Sequence, residues 1–183
     1  MNYNNNNYNK FDQTMHAFPM KYSNTVPRMT PPNQDQLDSI YIYPQNLEGA
    51  LDLMKQAVQG ETEDRMFYSY LIEQAPSEED ETIIIGIRDN EINHFKLFNQ
   101  LYYQITGKPI PAIQSEEFTK PASYCDGLKR ALLGEQNAVQ KYRKILYAMQ
   151  SRIHINILTG IITDEIRHGI LYSYLYSKNG CKE

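Results

Sequence analysis

The sequence predicts an all-α fold: a bundle of four helices with one long crossover between the second and third. Three observations carry that expectation. Four segments place their apolar residues at alternating steps of three and four, the spacing of a helix face that packs on its neighbours. The first and last connections are short and the middle one is long. The chain also repeats itself at a shift of 74 residues, so each half reads as one hairpin of the same design.

Residues 1–44 stand apart from the rest. They hold the run Asn4–Asn7, scattered tyrosines and the prolines Pro19, Pro27, Pro31, Pro32 and Pro44. Such a composition buries too little apolar surface to fold alone, and predicts a disordered or loosely docked tail ahead of a bundle spanning 45–183. Asn46 can cap the first helix, which runs to about Ala75 before Pro76. Ser77, with Asp80 three residues on, resembles a capping box and opens the second helix, which stops at Gly107-Lys108-Pro109. A proline-bearing link leads to Ser123, the cap of the third helix, which ends near Gln150. The fourth runs from about His154 to Ser177 and is closed by Gly180. β-branched residues are frequent in the second and fourth segments, but helical spacing sustained over about 25 residues outweighs them.

Bulk properties exclude several classes of function. A net charge of −4, with no basic stripe, argues against a nucleic-acid partner. No run approaches the roughly 18 apolar residues of a membrane helix. The N-terminus lacks the basic and apolar regions of a signal peptide. Cys125 and Cys181 form no CxxC and no framework, which predicts free thiols in a reducing, cytoplasmic compartment.

Ionisable residues interrupt the apolar seams at matched places. The second helix reads Ile84, Ile87, Glu91, His94, Phe98, Leu101, and the fourth reads Leu158, Ile161, Glu165, His168, Tyr172, Leu175. Glu61 interrupts the first helix between Ala57 and Tyr68, and Glu135 the third between Ala131 and Tyr142. Glu61, Glu91 and His94 recur 74 residues later as Glu135, Glu165 and His168. Each hairpin thus carries a lone Glu and, 30 residues on, a Glu-x-x-His. Four carboxylates and two imidazoles in an apolar bundle cost several kcal/mol per unpaired charge. Arg88 and Arg167 fall off the stripe and cannot neutralise them. Two divalent ions can, and mixed oxygen and nitrogen ligands suit iron or manganese, with zinc as an in vitro substitute.

Glu61, Glu91-Ile92-Asn93-His94, Glu135 and Glu165-Ile166-Arg167-His168 resemble the di-iron carboxylate site of the ferritin-like superfamily, over about residues 46–178. Within it, the sequence is similar to the rubrerythrin-like branch, without that branch's four-cysteine rubredoxin domain. A further Glu expected three residues after Glu135 is Ala138, and the pseudo-symmetric position on the first helix is Asp64. The resemblance implies two iron ions held by the six residues, with Asp64 as a replacement outer ligand or an acceptor behind one. Tyr68 and Tyr142 would be hydrogen-bond partners beside the metals or core tyrosines. Asp164 would orient a ligand His or face solvent.

The implied activity is reduction of peroxide, or oxidation of ferrous iron, in the service of oxidative-stress defence. It needs an external donor such as a rubredoxin-type protein, and the resemblance implies a homodimer. Two other functions stay open: a spore-coat or surface-layer component that keeps a metal site, suggested by the Asn/Tyr-rich tail, and iron storage. Gly60, Gly86, Gly134 and Gly160, each costing about 1 kcal/mol inside a helix, are expected to allow close packing beside the site.

Overall fold

A computed structural model describes residues 39–59, 61–112 and 118–182, with the side chains of 61–63 outside that description. The expected tail up to residue 38 is likewise outside it. The described residues form helices α1 (Leu47–Gln59), α2 (Glu61–Glu73), α3 (Glu78–Thr106), α4 (Tyr124–Tyr147) and α5 (Arg152–Lys178), with no strand among them. A 3-10 turn, Ser39–Tyr41, precedes α1, and Tyr41 packs on Tyr147 of α4 with ring centroids 4.8 Å apart. The bundle is therefore all-helical as expected. Its first arm is described as two helical segments, Leu47–Gln59 and Glu61–Glu73, on either side of residue 60, which lies outside the described set.

The ends of the helices follow local chemistry. Ser77 and Ser123 take extended backbone, and their hydroxyls accept from the N–H of Asp80 (3.3 Å) and Asp126 (3.1 Å). Gly107 closes α3 at φ 69°, where its N–H donates to the Tyr103 carbonyl, a conformation that strongly favours glycine. Asn46 precedes α1, but its amide donates to the Ile40 carbonyl at 2.9 Å instead of capping the helix.

The arm α1/α2 packs on α3 and on α4, while α4 packs on α5 and α5 on α3. The core divides into two apolar clusters, one at each end of the bundle. The first gathers Met54 of α1, Phe98 and Leu101 of α3, Tyr142 and Ile145 of α4, and Leu158 and Ile161 of α5. The second gathers Tyr68 and Leu71 of α2, Ile84 and Ile87 of α3, Leu128 of α4, and Tyr172 and Leu175 of α5. Each large apolar side chain buried this way contributes about 1.5–3 kcal/mol. On α3, α4 and α5 the residues between the clusters are the polar ones that broke the seam: Glu91 and His94, Glu135, and Glu165 and His168.

Three expectations are corrected. Cys125 and Cys181 are not free thiols. The α4/α5 hairpin brings them together across 56 residues of sequence, with Cα atoms 5.6 Å apart, and they form a disulfide. The cysteine argument for a reducing compartment falls with that pairing. Gly86, Gly134 and Gly160 do not serve close packing, since a Cβ at any of them would meet nothing within 4 Å. Close approach occurs elsewhere: a Cβ on Gly127 would lie 2.6 Å from Leu71 Cδ2, and one on Gly169 would collide with the Gln136 amide. Asp80 does not complete a capping box. Its carboxylate is fully buried and instead takes Ser77 Oγ, Lys178 Nζ, Asn179 Nδ2 (2.6 Å) and Tyr124 Oη (3.4 Å). It thereby ties the start of α3 to the start of α4 and the end of α5.

Candidate metal centre

The polar layer lies between the two apolar clusters. There α3 supplies Glu91 and His94, α4 supplies Glu135, and α5 supplies Glu165 and His168. Steps of three within Glu-x-x-His put both side chains of a pair on one helix face. The antiparallel run of α3 beside α5 then sets the two pairs opposite each other. His94 Nδ1 lies 3.1 Å from Glu165 Oε1 and 3.4 Å from Glu91 Oε2. His168 Nδ1 lies 2.9 Å from Glu91 Oε1, 3.6 Å from Glu165 Oε2 and 3.9 Å from Glu135 Oε1. The two rings stack with centroids 5.9 Å apart. Glu91 and Glu165 thus stand between the histidines, each within reach of both.

Most of the layer is buried: His168, Glu165, His94 and Glu135 are 0%, 1%, 3% and 6% exposed, and Glu91 is half-buried. Yet Glu91 Oε1, both Glu165 oxygens, His94 Nδ1 and both His168 nitrogens are buried without a hydrogen-bond partner. These atoms approach one another closely but not in hydrogen-bond alignment. Buried polar atoms are otherwise almost always satisfied, so this convergence of orphans fits a cation in their midst. Ligand atoms of Glu91, Glu135, Glu165 and His168 all fall within 4.8 Å of one another, and their oxygen and nitrogen chemistry suits a divalent first-row ion.

On their own, the side chains balance charge with protons. Burial pushes the Glu135 carboxyl far above the usual carboxylate range, helped by Glu165, Glu91 and Asp64. Burial works against a charged His94, but Glu165 and Glu91 outweigh it and raise the imidazole to about 10. His168 moves in the same direction for the same reasons. Burial also opposes ionisation of Glu165, and His168 and His94 overcome it and hold its carboxyl down.

Of the residues expected at a site, the structure brings together Glu91, His94, Glu135, Glu165 and His168. Glu61 opens α2 between the two clusters, but its side chain is outside the described residues. Asp64 is exposed and sits at the rim of the layer beside Tyr68, Glu91 and Tyr142, not among the four groups within 4.8 Å. Tyr68 and Tyr142 are buried against the layer, and burial followed by neighbouring carboxylates holds both phenols protonated well above their ordinary value. Asp164, for which the sequence left two readings, accepts from the His94 ring: Oδ2 lies 3.2 Å from Nε2.

Sequence reasoning missed the approach to the layer. A cavity of about 270 Å³ reaches Glu135 and Glu165 between α2 and α4, bordered by Phe67, Arg130, Gly134 and Ala138. Arg130 covers the Phe67 ring at 5.6 Å and donates to the Thr119 carbonyl at 2.9 Å. The seam offered one clue. Gly134 and Ala138, one on each side of Glu135 on α4, are too small to close the space.

A four-helix bundle with a buried Glu/His cluster at mid-height, built from two repeated hairpins, is a ferritin-like carboxylate protein. Comparison with known proteins narrows this. The family model described as Rubrerythrin matches residues 52–176, and the chain belongs to that family. The chain is similar to the uncharacterized protein YhjR of Bacillus subtilis (strain 168), 32% identical over 121 residues, which cover 66% of this chain and 82% of that protein. No solved structure gives a significant match. No helix among the described residues is long and apolar enough to cross a membrane.

Proposed function

We propose that the protein is a non-haem di-iron oxidoreductase that reduces peroxide. The observation that carries this reading is the set of converging, unpartnered buried donor atoms on Glu91, His94, Glu165 and His168. Glu91 and Glu165 would be shared between two ions. Glu135 with His168 would complete one position, and Glu61 with His94 the other. Two ferrous ions held there would supply the two electrons by which one hydrogen peroxide, with two protons, becomes two waters. The cavity beside Gly134 and Ala138 opens on Glu135 and admits a substrate of that size. The Tyr68 and Tyr142 hydroxyls stay protonated and can donate to ligand carboxylates. Asp64 at the rim is read as an acceptor behind the site rather than a ligand.

An external donor, a rubredoxin-type protein by family expectation, would return the electrons. We also take the chain to act as a homodimer, with residues 45–183 as the working domain. The test is metal analysis followed by single turnover. The purified protein should hold about two iron or manganese ions per chain. The diferrous form should be oxidised by one peroxide per two irons, and Glu91→Ala and Glu165→Ala should lose both ions and reaction. Protein free of metal after anaerobic reconstitution overturns the reading. Oxidation by dioxygen with growth of a ferric mineral, and no response to peroxide, favours ferrous iron as substrate.

A further inference from the structure

The two halves of the centre match at every proposed ligand but differ immediately behind the histidines. Behind His94 stands Asp164, with Oδ2 3.2 Å from Nε2. The residue 74 positions before Asp164 is Asn90, an amide where the repeat would place a second carboxylate. His168 Nε2 is buried with no hydrogen-bond partner among the described residues. The Asn90 oxygen is otherwise engaged: Arg167 Nη2 donates to it at 2.9 Å and lies 3.3 Å from Asp164 Oδ1. One guanidinium therefore occupies the amide on one side and steadies the carboxylate on the other. Asp164 is left with its second oxygen aimed at His94.

An imidazole that offers Nδ1 to a cation keeps its proton on Nε2. A carboxylate accepting that proton fixes the tautomer and ring orientation and makes the ligand more basic, an effect worth about 10–100-fold in metal affinity. An amide whose oxygen is already taken provides none of this. From this geometry we infer that Asp164 is a positioning residue for the His94 half alone, and that the two metal positions are unequal by construction. The inference rests on the di-metal reading and adds that the repeat has been broken at one outer residue. The ion on the His168 side lacks such support.

Titration of the metal-free full-length protein with cobalt(II), followed by calorimetry and visible absorption, tests it. Two binding steps are expected. Asp164→Asn should weaken one step about 10–100-fold and leave the other in place. In a His94→Ala background the same substitution should add nothing. Asn90→Asp should strengthen the step that Asp164→Asn leaves untouched. Proton NMR of the cobalt form gives an independent signature: one slowly exchanging, metal-shifted imidazole N–H in the native protein, absent in Asp164→Asn and joined by a second in Asn90→Asp. Asp164→Asn weakening both steps alike, or neither, overturns the inference while leaving a di-metal centre intact. A protein that binds no cobalt at all overturns the di-metal reading and this inference with it.

Discussion

Two buried acidic regions handle charge in opposite ways, the mid-height layer around Glu165 and the cluster around Asp80 at one end. Asp80 is fully buried, yet its carboxylate is met by Ser77, Lys178, Asn179 and Tyr124. Burial alone would raise its pKa, but bonds from Lys178, Ser77 and Asn179 win and hold it at about 2. In the layer, carboxylates and imidazoles crowd together with orphaned atoms, and Glu135 is forced toward its neutral form. A buried charge answered by its own chain is a fastening. One left unanswered calls for something from outside.

Removing a shared carboxylate should break this contrast most sharply. Glu165→Ala is expected to abolish loading of both ions, read by metal analysis, while the helical circular dichroism persists. The native protein should gain thermal stability from metal, about 2.7 kcal/mol at a free concentration one hundred times Kd, and that gain should vanish in the variant. Next in size is the disulfide beside the Asp80 cluster. Cys125→Ser with Cys181→Ser opens a 56-residue loop and should cost about 2–4 kcal/mol in denaturant unfolding, with two metals still bound.

Asp80→Asn should cost about 2–3 kcal/mol through its lost charge-assisted hydrogen bonds, again without touching metal content. Its pH dependence has a definite sign. Because folding depresses this carboxyl from 3.8 to about 2, its contribution is complete above pH 4 and is lost as pH falls towards 2. The stability gap between native protein and Asp80→Asn should therefore narrow below pH 4 in urea melts. Smallest is Ser123→Ala, which removes one cap from α4 and should cost about 1 kcal/mol in the same melts, with no change at the centre.

The layer was legible before any coordinates because two signals coincide in it. Glu91, His94, Glu165 and His168 sit at seam positions where an apolar residue is due, and the repeat places Glu61 and Glu135 at matched heights. The Asp80 cluster carried no comparable signal. Its partners Lys178 and Asn179 lie 98 and 99 residues away at the far end of α5, and Asp80 alone reads as an ordinary first-turn acid. The cysteines were misread for the same reason: a spacing of 56 says nothing until the α4/α5 hairpin closes it. The glycines failed differently, since a missing side chain announces only freedom, and the space beside Gly134 turned out to be open.

Periodicity and residue type by themselves determined the helices, their pairing into two hairpins and the height at which charge enters the core. Those are properties of local spacing, and local spacing is written in the chain. Tertiary structure alone decided which buried charges are satisfied, that Asp164 rather than solvent receives the His94 proton, and that Asn90 is turned to Arg167. The last two depend on a distance of about 3 Å between residues roughly seventy or more positions apart, and no helical period specifies such a distance.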